Sequence, residues 1–207
     1  MSYKRPRLVM ALGSRGGYEA FETALGDSYP SIASRGAVYL VEHVYPSMDV
    51  VPRYIAKRIN LKASIVEEGR ELKEGFHLYP GVKDKFEQPR PIAIGKGGDE
   101  VLKFARYAEQ PELHTIFTFQ INKALAAGYG KDMMISVLSG SGGDGCDVLE
   151  KAKKAGTMIV VQEPRTIKTS MERMMPNNAK QTGFIDFELP TEGIGQKIKD
   201  FFGPAWV

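Results

Sequence analysis

Leu8-Val9-Met10-Ala11-Leu12-Gly13-Ser14-Arg15-Gly16-Gly17 is the stretch whose reading decides the fold. Its first five residues are apolar without alternation, as in a parallel strand covered on both faces. The glycines then permit a tight turn and a close approach of backbone. Beyond them, Tyr18 to Leu25 sets Ala20, Phe21, Ala24 and Leu25 on one side of a helix. Lys4, Arg5 and Arg7 ahead of the run imitate a signal peptide, but the apolar stretch is too short and lacks a cleavage pattern. It reads as a first strand.

The same grammar recurs along the chain. Ala37 to Val41 is a second apolar run ending at Glu42-His43, and Asp49 to Ile59 spaces Val51, Tyr54, Ile55 and Ile59 helically. Ala63 to Val66 reads as a strand. Phe76 to Tyr79, the turn Pro80-Gly81 and Pro91 to Ile94 read as strands pairing back in a hairpin, with a short helix over Leu102 to Tyr107. Glu112 to Ala127 reads as a helix stopped by Gly128, Met133 to Leu138 as a strong strand, and Asp147 to Ala155 as a helix stopped by Gly156. Thr157 to Val161 and Phe184 to Leu189 are further strands, and Thr191 is placed to cap a terminal helix through Phe202. Strands alternating with helices predict an α/β fold: a doubly wound, mostly parallel sheet with a small antiparallel hairpin, in a single domain over 1–207.

Composition narrows the class. Of 207 residues, 43% are hydrophobic and 26% charged, with a net charge of +3. That is an ordinary soluble globular balance, too mildly basic to argue for nucleic acid. The one cysteine, Cys146, excludes an internal disulfide and suits a reducing compartment. No segment has the length of a membrane span. A cytoplasmic location without membrane insertion is expected. Three histidines and one cysteine, without ligand spacing, make a poor metal set, so neither metal nor cofactor is expected.

Three strand-end loops collect the candidate chemistry. Ser14 stands where a strand turns into a helix, beside amides suited to a developing oxyanion. The residues alone leave nucleophile, phosphate loop and plain tight turn open, although neither GxGxxG nor GxxxxGK[ST] is present. His43 ends the second strand, where a base could reach a neighbouring loop. His77 and His114 fall in an expected strand and helix and rank lower. Asp144, in Ser139-Gly140-Ser141-Gly142-Gly143-Asp144-Gly145, either orients a base or serves its own turn, and Asp147 is an N-cap alternative. Nothing marks Cys146 as activated.

These motifs resemble the catalytic segments of CheB-type protein-glutamate methylesterases, whose usual forms are ASTGG, QHMPP and TGMGxDG. The likeness continues through Phe76 to Gly81, Asp147 to Gly156, Gln162-Glu163, Met175-Pro176, Ala179, Gly183 and Asp186, and so covers most of the chain. The resemblance implies a serine hydrolase that demethylates glutamate methyl esters on chemoreceptors, releasing methanol, and that in some relatives deamidates glutamine. It implies Ser14 as nucleophile, His43 as base and Asp144 as orienting acid. The pocket it implies is formed by Arg15, Gly16, Gly17, Ser141, Gly142 and Met175, with oxyanion amides at His43 and Ser141.

Some positions depart from that pattern. Arg15 replaces threonine, Ser141 replaces methionine, Pro111-Glu112-Leu113-His114 replaces PSVD, and the spacing from Gln162 to Met175 is longer. With no receiver domain expected ahead of Leu8, control is expected from a partner in trans. A serine esterase or amidase with another substrate, or an idle binding module in a chemosensory assembly, would share the fold.

Overall fold

A computed structural model of the chain describes residues 6–14, 16–26, 31–32, 34–43, 63–65, 71–79, 92–94, 103–105 and 113–204. The first expectation holds: β1 (Leu8–Gly13) is buried throughout and runs through the glycine turn into α1 (Gly17–Leu25). On one side of β1 lie β2 (Ala37–Glu42), β4 (Gly75–Leu78) and β3 (Ala63–Ile65). On the other lie β7 (Met133–Val137), β8 (Met158–Gln162) and β9 (Phe187–Leu189). The seven strands pair in the order β3-β4-β2-β1-β7-β8-β9, and every pairing is parallel.

Alternate side chains serve two cores, as the pleat requires. Leu8, Met10, Leu12, Tyr39, Ile135 and Val161 face α2 (Ile116–Ala126), α3 (Leu149–Lys154) and α4 (Met174–Gln181). Val9, Ala11, Val38, Leu40, Met134 and Val160 face α1 and α5 (Thr191–Phe202). The unbroken apolar runs of the sequence are thus strands covered on both faces. The C-terminal end of α5 is fastened by two cations: Arg7 Nη1 donates to the Phe201 carbonyl (2.5 Å) and Arg35 Nη1 to that of Gly203 (2.9 Å). Among the described residues, no helix is long and apolar enough to cross a membrane.

The chain leaves β1 first toward β2 and later toward β7. The crevice beyond the carboxyl ends of these central strands is where an open parallel sheet binds ligands. The Ser14 turn, His43 and the Ser139–Gly145 loop all emerge there.

Several local expectations are corrected. Lys103–Ala105 is a strand, β6, rather than part of a helix over Leu102 to Tyr107. It pairs antiparallel with β5 (Ile92–Ile94), which therefore does not pair back on β4. A helix of six residues would close few of its own hydrogen bonds, whereas a ladder supplies partners at once. The expected helices from Glu112 and Asp147 each begin with a 3-10 turn, Leu113–Thr115 and Cys146–Val148. Thr191 is the first residue of α5 and makes no cap bond; Pro190 is the capping position. The helix expected over Asp49 to Ile59 lies outside the described residues.

Where α1 crosses α5, a Cβ on Gly195 would stand 1.8 Å from the Ala24 carbonyl oxygen. Gly195→Ala is therefore expected to force the helices apart at a cost of about 1–3 kcal/mol. Gly193→Ala in the same helix, meeting only side-chain atoms at 3.3 Å or more, is expected to stay within about 1 kcal/mol of the parent. Urea melts of the two variants check the difference.

Candidate active site

The site is built on the end of α2. Asp144 reaches from the loop after β7 and caps this helix from outside its own segment. Its Oδ2 accepts the Phe117 amide (2.8 Å) and its Oδ1 the Thr118 amide (3.0 Å). Thr115, the local cap residue, supplies no side-chain cap bond. The unpaired amides of the first turn are thus satisfied by a residue distant in sequence. Thr118 Oγ1 donates to Asp147 Oδ1 (2.5 Å) and accepts the Gly145 amide (3.1 Å), bracing the same loop.

His43 is bonded to that carboxylate, its Nε2 lying 3.0 Å from Asp144 Oδ2. Its ring stacks on Phe117 with centroids 4.2 Å apart and planes within 8°, and His114 meets it edge-on at 6.2 Å. The side chains are nearly enclosed, 10% exposed for His43 and 3% for Asp144. With Nε2 taken by Asp144, Nδ1 is the nitrogen left for a proton from a neighbouring hydroxyl.

Ser14 lies on the adjoining strand end, one position beyond the rung that pairs Gly13 with Glu42. Its amide donates to the Ser139 carbonyl (3.1 Å), and Gly17 N–H closes the turn on the Ser14 carbonyl (2.8 Å). Gly16 takes a left-handed conformation at φ 78°. Gly140 is needed for the approach of the two loops, since a Cβ there would meet the Ser14 Cβ at 2.7 Å. Ser139 is held in turn: its Oγ donates to the Gly16 carbonyl (2.9 Å), and its amide donates to Gln162 Oε1 (2.8 Å). Ser14 and His43 are neighbours, and no hydrogen bond joins their side chains in this structure.

The remaining expected residues divide. Met175 is fully buried, and its amide donates to the Gly140 carbonyl (2.9 Å), so it backs the loop instead of facing an open pocket. Gly142 is exposed and offers its carbonyl to Asn178 Nδ2 (2.7 Å). Among the described residues, the Ser141 amide donates to no backbone carbonyl, whereas the His43 amide donates to Gly13 (3.4 Å). The expectation of a free oxyanion amide at His43 is corrected accordingly: the end of the β1–β2 ladder takes it. Arg15 lies outside the described residues. His77 pairs in register with Tyr39 inside the sheet and bonds the Lys73 carbonyl (2.9 Å). Burial pulls its imidazole below the usual range, against the opposing effect of that bond. Burial pushes the Cys146 thiol up to about 11, with Asp147 and Asp144 adding to it, which leaves it a poor nucleophile.

Sequence reasoning missed the supports of the site. Phe117 and Thr118 read as helix residues and Gln162 only as part of the Gln162-Glu163 likeness, and their roles need the tertiary contacts. Glu42 is a further surprise, only 3% exposed at the end of β2. Burial, then the charge of Glu19, holds its carboxyl well above the usual carboxylate range. Burial, then Glu42, also raises the Tyr18 phenol.

With this geometry in place, comparison with known proteins is informative. The family model described as CheB methylesterase matches residues 9–198. The chain belongs to the CheB methylesterase family. This is a family of carboxylic ester hydrolases. A protein-glutamate methylesterase/protein-glutamine glutaminase of Moorella thermoacetica is 29% identical over 203 residues, covering 94% of this chain and 44% of that protein. One from Methanosarcina mazei is 26% identical over 93% of this chain and 51% of its own length. A Leptospira interrogans relative is 27% identical over 88% of both chains. The chain thus spans about half the length of the first two. The crystal structure of the Thermotoga maritima CheB methylesterase catalytic domain superposes with a TM-score of 0.72, covering 93% of this chain and 97% of that one. At 21% identity, this last likeness establishes the shared fold.

Asp144→Ala removes the cap of α2 and the partner of His43 together. Loss of about 0.5–2 kcal/mol of stability is expected, with faster hydrogen exchange at the Phe117 and Thr118 amides. A variant with unchanged exchange at both would mean that the helix does not depend on this carboxylate.

Proposed function

We propose that the chain hydrolyses side-chain methyl esters of glutamate in a chemoreceptor's cytoplasmic region, working as one catalytic domain in the cytoplasm. The observation that carries this reading is the His43–Asp144 hydrogen bond (3.0 Å) beside the Ser14 turn, at the ligand-binding edge of the sheet. Membership of the methylesterase family supports the ester as substrate, and the relatives' printed activities support glutamine deamidation as a second reaction.

In this mechanism Ser14 Oγ attacks the ester carbonyl carbon while His43 Nδ1 takes the hydroxyl proton. Asp144 keeps the ring in place and stabilises the imidazolium. The Ser141 amide serves the developing oxyanion. Collapse breaks the bond to the methoxy oxygen, which leaves as methanol with the proton from His43. A water molecule, deprotonated by His43, then attacks the acyl-enzyme. Its collapse frees glutamate and returns the proton to Ser14.

Labelling by a fluorophosphonate followed by methanol release from methylated receptor fragments tests the proposal. Ser14→Ala should abolish labelling. Ser14→Ala and His43→Ala should each cost several orders of magnitude in turnover, and the double variant little more, because the groups act as a unit. Near-normal turnover by Ser14→Ala would move the nucleophile elsewhere. Absence of turnover in the parent would favour another substrate or a binding role.

Arg15, adjoining the nucleophile in sequence, would favour carboxylate-rich substrate segments. Arg15→Thr is then expected to raise KM for acidic methyl-ester peptides and to flatten the salt dependence of binding. Equal kinetics with acidic and neutral esters in both proteins would eliminate that role.

A further inference from the structure

Glu42 has surroundings that neither the sheet nor the proposed reaction explains. It is the last residue of β2, in register with Gly13, and Oε1 has no hydrogen-bond partner. Oε1 lies 2.7 Å from where a Cβ would stand on Gly13 and 2.6 Å from where one would stand on Gly17. Its carboxyl therefore fills the hollow bounded by the two glycines that flank the Ser14 turn. The other face of that turn is pinned to Ser139 by the Ser14 amide.

The groups around Glu42 make its charge expensive. From α1, Glu19 adds a second negative charge and Tyr18 an uncharged phenol. From the loop after β7, the Ser139 carbonyl lies 3.3 Å from the same Gly17 Cβ position. The neighbouring His43 is engaged with Asp144. Among the described residues no cation pairs with Glu42, and no α1 amide donates to Oε1. A buried carboxylate with neither donor nor counter-ion is far less favourable than the neutral acid.

We propose that Glu42 is a positioning residue that works as the neutral acid: the uncharged carboxyl supports the turn carrying Ser14, and ionisation loosens that turn and disarms the serine. The disarming rests on the serine-hydrolase reading above; the support of the turn does not. The sign of the linkage follows from the raised native value. Below the ordinary glutamate range, near pH 4.5, both folded and unfolded chains hold the proton and the stabilisation is complete. Above it the unfolded carboxyl ionises while the native one does not, so stability falls until the native group ionises too. Glu42→Gln keeps the shape of the neutral acid and removes this dependence on pH.

The test compares wild type with Glu42→Gln from pH 4.5 to 9.5. The Tm advantage of the variant should widen with pH and then level off, and exchange at the Ser14 and Gly17 amides should quicken at high pH in wild type alone. The ratio of variant to wild-type fluorophosphonate labelling should climb by up to about tenfold per pH unit once Glu42 ionises. Carboxyl-carbon NMR of wild type, which needs no variant, should show Glu42 still protonated above the ordinary glutamate range. Ionisation of Glu42 within the ordinary glutamate range, a Tm gap independent of pH, or parallel labelling profiles would overturn the proposal. If neither protein labels, the hydrolase reading fails. The Tm gap and amide exchange then decide the supporting role alone, a widening gap upholding it and a constant one overturning it.

Discussion

The carboxylate of Asp144 is the constraint on which the site depends. It accepts two main-chain amides of α2 and the imidazole of His43. Each bond is of the charge-assisted kind. The two amides lie within one helical turn, so the position of the carboxylate is set by the helix end and not by a mobile side chain. The imidazole inherits that position. Stacking on Phe117, whose own amide is one of the two donors, fixes the ring plane as well. The helix start, the carboxylate and the imidazole are therefore one object.

The serine half is built differently. Ser14 is held by its backbone, and the parts that hold it are glycines and carbonyls. Gly140 lets the loop after β7 come against Ser14, and Ser139 ties that loop both to the turn and to Gln162 at the end of β8. The hydroxyl thereby stays free of the bonds that hold its residue. An imidazole held rigidly and a serine fixed only through its main chain make an arrangement in which a bound ligand can complete the last contact. Catalytic hydrogen bonds often tighten only in the bound complex.

Much of this was legible in the residues. A run such as Leu8 to Leu12 has no polar face, so helices must cover it on both sides, and doubly wound topology follows. The loops with Ser14, His43 and Asp144 were legible because each follows such a run. What stayed hidden is what depends on contacts across the chain. Asp144, open between serving its own turn and partnering a base, accepts instead the amides of a helix that begins 28 positions earlier, by the numbering of Ile116 and Asp144, and bonds the His43 imidazole. His114 ranked low as a helix residue, yet the 3-10 turn before α2 brings its ring to His43. Lys103–Ala105 misled because three residues carry too little periodicity to separate strand from helix.

Two acids at this sheet edge show how environment divides one functional group into two roles. Asp144 is ringed by donors. Glu42, one residue before the base that Asp144 holds, is enclosed without a donor for Oε1 and lies close to Glu19. Donors lower the free energy of an anion, and their absence in a buried place favours the acid form. Separating the environments of neighbouring titratable groups is how a site keeps one acceptor available while another stays uncharged.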